Sequence, residues 1–202
     1  MHDFHSEVPV ETPLHYYLGR TSGESAETGL VICEAVLKTH LVLRGDPGDP
    51  DFKQGVESAL DVGLPVQACS FEIRGETGIY WLGPDEWLVT SSGNNAHGME
   101  AELRRHLSRH FSVVDVSGGQ TIVNLSGSAV GYVLKKSCAY DFSPRNFQAG
   151  RCVQTTFAKA TALVARNADG TFDLVFRRSF ADYLAEWLLD AGAEYGCVIK
   201  SR

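Results

Sequence analysis

The chain lacks several features that would assign it to a broad class. No run of apolar residues reaches the roughly 20 that a membrane-spanning helix needs. The N-terminal stretch MHDFHSEVPVETPLHYYLGR has neither the basic start nor the apolar segment of a secretory signal, so we expect a cytoplasmic protein. Positive charge is scarce, with 18 lysines and arginines against 25 aspartates and glutamates. That balance argues against nucleic acid or an anionic membrane as a partner.

Cysteines at the spacing of metal or redox motifs are also missing. The chain has five cysteines, an odd number, and no two of them form a CxxC pair. We therefore predict reduced, mostly buried thiols rather than disulfides or a metal site. These cysteines are Cys33, Cys69, Cys138, Cys152 and Cys197.

Motifs for catalysis or cofactor binding are absent as well. In the segment HLSRH, His106 and His110 have the spacing of two metal ligands on one helix face. No Glu follows the first His and no third ligand stands nearby, which favours a helix-edge role. The segment LSGSAVG lacks the GxGxxG spacing and the Walker lysine, so its glycines predict a tight turn. We predict no catalytic, cofactor-binding or metal-binding residue in this chain.

What is present is a repeated rhythm of strands and helices. Residues 1–29 form a polar, acidic N-terminal arm, followed by a first half over residues 30–111 and a second half over residues 112–202. Two turns overlay the halves: Gly45 and Gly127 are 82 positions apart, and Asp85 and Asp169 are 84 apart. The match in order and spacing indicates an internal duplication. We predict an α+β protein with mostly antiparallel sheets.

Cap signals place the four helices. Asp49 followed by Pro50 predicts a helix to about Leu60, and apolar spacing predicts a second over about 97–110. Ser128 is the predicted cap of a short third helix. In SFAD, Ser179 is predicted to begin the last helix as a variant capping box.

The stretch YWLGPDEWLV places two tryptophans around a turn. Pro84 and Asp85 suit the central positions of a type I turn, so a hairpin is expected first. Trp81 and Trp87 then lie on its strands, where we expect them in the core or against a partner rather than on a ligand.

Two other segments are candidate contact sites. The segment ETPLHYYL, with Leu14, Tyr16 and Tyr17, either docks on another surface or packs back on its own domain. Arg177 and Arg178 precede Ser179 and either bind an anion at the helix start or face an acidic partner. Together with Trp81 and Trp87, these are the candidate interface residues.

Several of these stretches together resemble a known family. PL in the arm, YWLGPDEWLV, VVDVSGGQTIVNLSG, CAYDFSPRNFQAGRCVQTTFAK and TFDLVFRRSFADYLAEWLLDA look like the gamma subunit of heterotetrameric sarcosine oxidase. The resemblance covers nearly the whole chain after the arm. LGPDEWL and RRSFADYLAEWL are its most specific parts. N-methylglutamate dehydrogenases belong to the same group of complexes, and the sequence does not separate the two.

The resemblance implies a non-catalytic subunit that supports assembly of a flavoenzyme. Such a complex has alpha, beta, gamma and delta subunits and oxidatively demethylates sarcosine to glycine. It implies FAD, FMN and NAD in the large subunits, a tetrahydrofolate site in alpha that takes the one-carbon unit, and zinc in delta. The gamma fold is similar to the T-protein of the glycine cleavage system.

That similarity raises the alternative of a folate-binding aminomethyltransferase. T-protein relatives carry an acidic residue near the exit of a central hairpin, whereas the comparable stretch here, TFAKATALVARN, has none. The chain is also shorter than a T-protein. We therefore favour the assembly role, since a shared fold does not carry a shared function.

Overall fold

The computed structural model describes residues 11–23, 27–35, 37–93 and 95–201. The first ten residues of the predicted arm lie outside this part. The described chain forms four α-helices: α1 (Pro50–Leu60), α2 (Ala96–His106), α3 (Val130–Ser137) and α4 (Ala181–Gly192). It forms twelve strands: β1 (Thr21–Ser22), β2 (Leu30–Glu34), β3 (Lys38–Arg44), β4 (Phe71–Arg74), β5 (Thr77–Gly83), β6 (Glu86–Ser92), β7 (Ser112–Asp115), β8 (Gln120–Ser126), β9 (Cys152–Phe157), β10 (Ala160–Arg166), β11 (Phe172–Arg177) and β12 (Cys197–Ser201).

Helix α1 follows its sequence signals. The side chain of Asp49 accepts a hydrogen bond from the backbone N–H of Asp51, and Pro50 occupies the first turn, where its missing N–H costs nothing. The helix ends at Leu60, because Asp61 turns to left-handed backbone at φ 56°. The predicted bounds are confirmed.

Helix α2 is shorter than predicted. It ends at His106, and Leu107 is already extended at φ −99° and ψ 136°. Arg109 then has a positive φ of 72°, which an α-helix cannot contain. The expectation of a helix to about residue 110 is therefore wrong at its C-terminal end.

Two predicted caps are also wrong. Helix α3 begins after Ala129, and no side chain hydrogen-bonds its first turn, so Ser128 is not the cap. A short 3₁₀ turn, Arg178–Phe180, precedes α4, which starts at Ala181 rather than at Ser179. The chain therefore enters α4 through this 3₁₀ turn, and no side chain makes the hydrogen bond of the expected capping box.

The strands form two sheets with matching internal order. The five-stranded sheet runs β4-β5-β6-β3-β7, and the seven-stranded sheet runs β9-β10-β11-β8-β2-β12-β1. All pairings are antiparallel except that of β2 with β12. The element order after β2 repeats after β7, which confirms the prediction of two similar halves.

The halves exchange their first strands. Strand β2 leaves its own half and pairs with β8 in the seven-stranded sheet, while β7 pairs with β3 in the five-stranded one. Two similar backbone bonds mark the crossing: Ala35 N donates to the Ile122 carbonyl oxygen, and Val116 N donates to that of His40, both at 2.9 Å. The division at residues 111 and 112 therefore does not coincide with a division between the sheets.

The molecule has four layers. Helices α1 and α2 cover one face of the five-stranded sheet around the buried ring of Trp87. Helices α3 and α4 cover one face of the seven-stranded sheet, together with Leu14 of the arm. The inner faces pack on each other through a third apolar cluster that includes Tyr80, Leu88 and Leu163. Both sheets are thus buried on two sides over most of their width.

Candidate interface surfaces

The tryptophan hairpin is a structural element. Gly83 pairs with Glu86 across the two-residue turn that Pro84 and Asp85 form, as predicted, and Trp81 pairs with Trp87. The Trp87 side chain is 0% exposed, and its Nε1 donates to the carbonyl oxygen of Pro65 at 2.7 Å.

The two tryptophans differ as interface candidates. Trp87 cannot meet a partner because the chain's own core encloses it. Its inclusion among the interface candidates was therefore wrong, and the expected core position is the correct one. Trp81 packs partly against the same core and keeps some of its surface exposed.

The described part of the arm packs back on its own domain. Leu14 is 1% exposed within the helical side of the seven-stranded sheet, and Tyr17 is 9% exposed. Arg20 lies over the Tyr17 ring at 4.5 Å and pairs with Glu186 of α4 at 2.9 Å. Of the three arm candidates, only Tyr16 presents a large surface, 78% exposed. Leu14 and Tyr17 are therefore internal anchors of the arm.

Glu34 holds the arm in place. This residue of β2 is 2% exposed, and its carboxylate accepts the Leu14 backbone N–H at 3.1 and 3.2 Å. The hydroxyl of Thr121 donates to the same group at 2.9 Å. The sequence motifs did not single out Glu34, although Leu30, Ile32 and Glu34 occupy the alternate positions of β2 that are buried. An acid at such a position signals a buried hydrogen-bond acceptor.

Arg177 and Arg178 stand on the surface at the end of β11. Both are exposed, and Arg178 Nη1 makes one long hydrogen bond, 3.4 Å, to the Gly118 carbonyl oxygen. Among the described residues neither has an acidic partner. Since α4 begins only at Ala181, the predicted anion site on a helix started by Ser179 loses its basis.

The space between the sheets opens at both ends of the strands. One opening, the inter-sheet groove, has a volume of about 480 Å³ and an apolar floor that includes Leu82, Leu88 and Leu163. Arg177 and Phe180 stand at its rim, and Phe180 is 37% exposed. Sequence patterns did not reveal this groove, because its walls come from strands far apart along the chain.

The opposite opening, the polar cleft, has different chemistry. It measures about 770 Å³, and its lining includes Glu76, Asn124 and Asp173. Asn124 Nδ2 donates to Asp173 Oδ1 at 2.7 Å. Tyr80 lies at its base, where burial raises the pKa of the phenol well above its usual value. Along β6, Glu86 lines the groove at one end of the strand and Ser92 lines the cleft at the other.

The loop around DFSPRNFQAGRC is held by local bonds and aromatic packing. Asp141 accepts hydrogen bonds from the backbone N–H of Ser143 and from the side chains of Ser143 and Asn146, which lower the pKa of its carboxyl. Phe142 and Phe147 pack edge to face, with ring centroids 5.1 Å apart. Phe142 and Phe147 therefore anchor the loop in the core, while most of its other residues are exposed.

The described residues bring no metal-binding cluster together, and burial keeps two of the thiols protonated. No group of three or more His, Cys, Asp or Glu side chains is placed to hold a metal ion there. Because α2 ends at His106, that residue and His110 do not share a helix face. Burial raises the pKa of Cys152 to about 12 and that of Cys197 to about 11, so both remain protonated thiols. No helix in the described part is long and apolar enough to span a bilayer.

Comparison with known proteins resolves the family. The model of the "Sarcosine oxidase, gamma subunit family" matches residues 44–194. The chain belongs to this family. It is 32% identical over 175 residues to the sarcosine oxidase subunit gamma of Corynebacterium sp. (strain U-96), covering 85% of this chain and 83% of that protein.

Solved structures agree with the gamma subunit assignment. A chain of the heterotetrameric sarcosine oxidase from Corynebacterium sp. U-96, in complex with pyrrole 2-carboxylate, matches with a TM-score of 0.80 and 28% identity. The match covers 92% of this chain and 96% of that one. The glycine cleavage system aminomethyltransferase T from Bartonella henselae matches at a TM-score of 0.65 and 13% identity, over 94% and 58% of the two chains. That second likeness confirms the predicted T-protein-like fold and no more.

Proposed function

We propose that this chain is the gamma subunit of a heterotetrameric sarcosine oxidase and supports assembly of that enzyme. The observation that carries the proposal is the match to a chain of a heterotetrameric sarcosine oxidase over nearly the full length of both chains. In this role the chain contributes to sarcosine oxidation only as part of the complex.

Two buried thiols and one buried carboxylate are not available as catalytic groups. The two most strongly shifted thiol pKa values belong to Cys152 and Cys197, and their cause is burial rather than a neighbouring base or cation. A catalytic thiol would need a lowered pKa instead. The buried carboxylate of Glu34 is committed to holding the arm.

The finer composition of the complex is part of the proposal. We expect the partners to be alpha, beta and delta subunits, with FAD, FMN, NAD, the tetrahydrofolate site and zinc outside this chain. Four exposed or partly exposed residues remain as candidate contacts: Tyr16, Trp81, Arg177 and Arg178. Aromatic and arginine side chains are the types enriched at interface cores.

Purification of the tagged chain from its native host tests this function. We expect a yellow assembly with two large chains and one smaller one, which oxidises sarcosine and yields glycine. N-methylglutamate oxidation in place of sarcosine oxidation would move the chain to the related dehydrogenases. A colourless monomer would contradict the subunit role.

The T-protein-like fold makes folate binding by the isolated chain the competing function. This chain spans only 58% of the T-protein that it matches, so part of a T-protein-like site would have to come from elsewhere. Titration of the isolated chain with tetrahydrofolate, followed by tryptophan fluorescence, separates the two. We expect no saturable change, and binding at micromolar concentrations would favour the aminomethyltransferase-like alternative.

A further inference from the structure

The inter-sheet groove exposes core surface. Leu88, Leu163 and Val175 form its deep floor and belong to the apolar cluster that joins the two sheets. Leu82 and Val116 pack against the same cluster but are only partly buried. The layer that holds the sheets together therefore reaches the surface at this end. An apolar side chain placed here would extend the core and lose its own contact with water.

The rim of the groove adds a specific charge. Arg177 lines the groove, and Arg178 follows it directly; both are exposed and lack an acidic partner among the described residues. Glu86, on the other side, lies 3.9 Å from the guanidinium of Arg44. The groove rim therefore carries two adjacent positive charges without an ion pair in the described part of the chain, whose net charge over its whole sequence is −7.

The polar cleft at the other end of the same strands provides the contrast. Its lining includes the acids Glu76, Asp169 and Asp173, with Lys38 as its basic residue. Among the described residues, an apolar floor and arginines without an acidic partner thus occur together at the groove end of the inter-sheet space. This combination fits a segment that carries an apolar side chain next to a carboxylate.

We propose that the inter-sheet groove is a docking site for a segment of a partner subunit of the oxidase. The segment inserts an apolar side chain over Leu88 and Leu163 and places an Asp or Glu against Arg177 and Arg178. Phe180, at the rim, covers the inserted side chain from above. This inference rests on the proposed function and adds the face and the chemistry of the contact.

Photocrosslinking in the assembled complex tests the site directly. The photoreactive residue p-benzoylphenylalanine is placed at position 161 or 180, both on the groove rim and exposed. The control position is 53, exposed on the outer face of α1. We expect crosslinks to another subunit from positions 161 and 180 in the purified, active complex. An assembled, active complex without crosslinks from either position would overturn the groove while leaving the subunit function intact.

Two kinds of variant test the two parts of the proposed contact: one reverses the charge of the arginines, and the other fills the groove. We expect the double variant Arg177→Glu, Arg178→Glu and the groove-filling variant Thr161→Trp each to lower co-purification with the other subunits about tenfold or more. Lys53→Glu reverses one exposed positive charge on α1 and should assemble as wild type does. Circular dichroism of each variant verifies that it folds.

The outcomes separate the two proposals. If folded groove variants assemble as well as wild type, the groove is not a docking site, although the subunit function stands. If the unaltered chain fails to assemble with the other subunits, both proposals fall. A crosslinked dimer of this chain would identify a second copy as the occupant and also contradict the proposal.

Discussion

The imidazole of His40 is the most isolated polar group in the described core. The residue is 2% exposed, and neither ring nitrogen has a hydrogen-bond partner in the described part of the chain. Burial lowers the pKa of His40 from 6.5 to about 4; the charge of nearby Lys38 acts in the same direction, and the backbone of Ser117 and the charge of Asp115 oppose it. The side chain is therefore neutral at pH 7 and resists protonation in the folded state.

A pH dependence of stability follows from His40. As the pH falls, the unfolded chain takes up this proton near pH 6.5 and the folded chain only near 4. The free energy of unfolding should therefore drop across that window, by up to about 3 kcal/mol. Urea unfolding of wild type and His40→Leu from pH 7 to 4.5 measures the difference. His97→Leu, an exposed histidine, is the control, and an equal pH slope in His40→Leu and wild type would refute the assignment.

Gly127 and Gly170 both have a positive φ, but only a side chain at Gly127 would also clash with neighbouring atoms. Gly127 has φ +111°, and a Cβ there would lie 2.3 Å from the Gly29 carbonyl oxygen. Gly170 has φ +85°, and a Cβ there would meet no atom within 4 Å. We expect Gly170→Ala to cost about 1 kcal/mol and Gly127→Ala about 3 kcal/mol or more. Chemical denaturation measures both, and equal losses would show that the close approach of Gly127 to β2 is unimportant.

At the scale of elements, the arm depends on one carboxylate. Glu34→Ala leaves the buried Leu14 N–H without its acceptor, which costs about 1–3 kcal/mol. We expect trypsin to cut after Arg20 about tenfold faster or more, because cleavage requires the arm to detach locally. Glu72→Ala, on an exposed edge of β4, is the control. Unchanged cleavage in Glu34→Ala would show that apolar packing alone holds the arm.

Elements with local signals were predictable, and those that depend on distant partners were not. Asp49 with Pro50 and the Pro84–Asp85 turn fix their structures within a few residues, so sequence was enough. The end of α2 lies instead at the extended Leu107, followed by the left-handed Arg109, and no composition rule indicates either conformation. The alternating burial of Leu30–Glu34 would suit a strand of either sheet, so the pairing of β2 with β8 could not be predicted from sequence.

The candidate surfaces divide in the same way. The exposure of Arg177 and Arg178 agrees with their charge, and their role as contact residues stays a prediction. Aromatic or apolar character cannot tell an interface from a core. Leu14, Tyr17 and Trp87 proved to be internal for that reason.

At the scale of the whole molecule, the strand exchange makes the two halves interdependent. Residues 30–111 alone would contain β2 without the strands it pairs with, and β3 without β7. Residues 112–202 alone would expose the inner face that packs on Leu88. We expect each half, expressed separately, to lack the dispersed amide NMR spectrum of a fold. Co-expression of residues 1–111 with 112–202 should restore it, and an independently folded half would contradict the interdependence.

The pairing of β2 with β12 also dictates the order in which the protein can be completed. Leu30 lies beside Cys197 in that register, so an early segment must wait for a very late one. At roughly 5–20 residues per second, synthesis leaves Leu30–Glu34 without this neighbour for many seconds. Over that interval a strand rich in β-branched and apolar residues is open to pairing with other chains. Production of this subunit should therefore be unusually sensitive to translation speed and to chaperones that shield nascent strands.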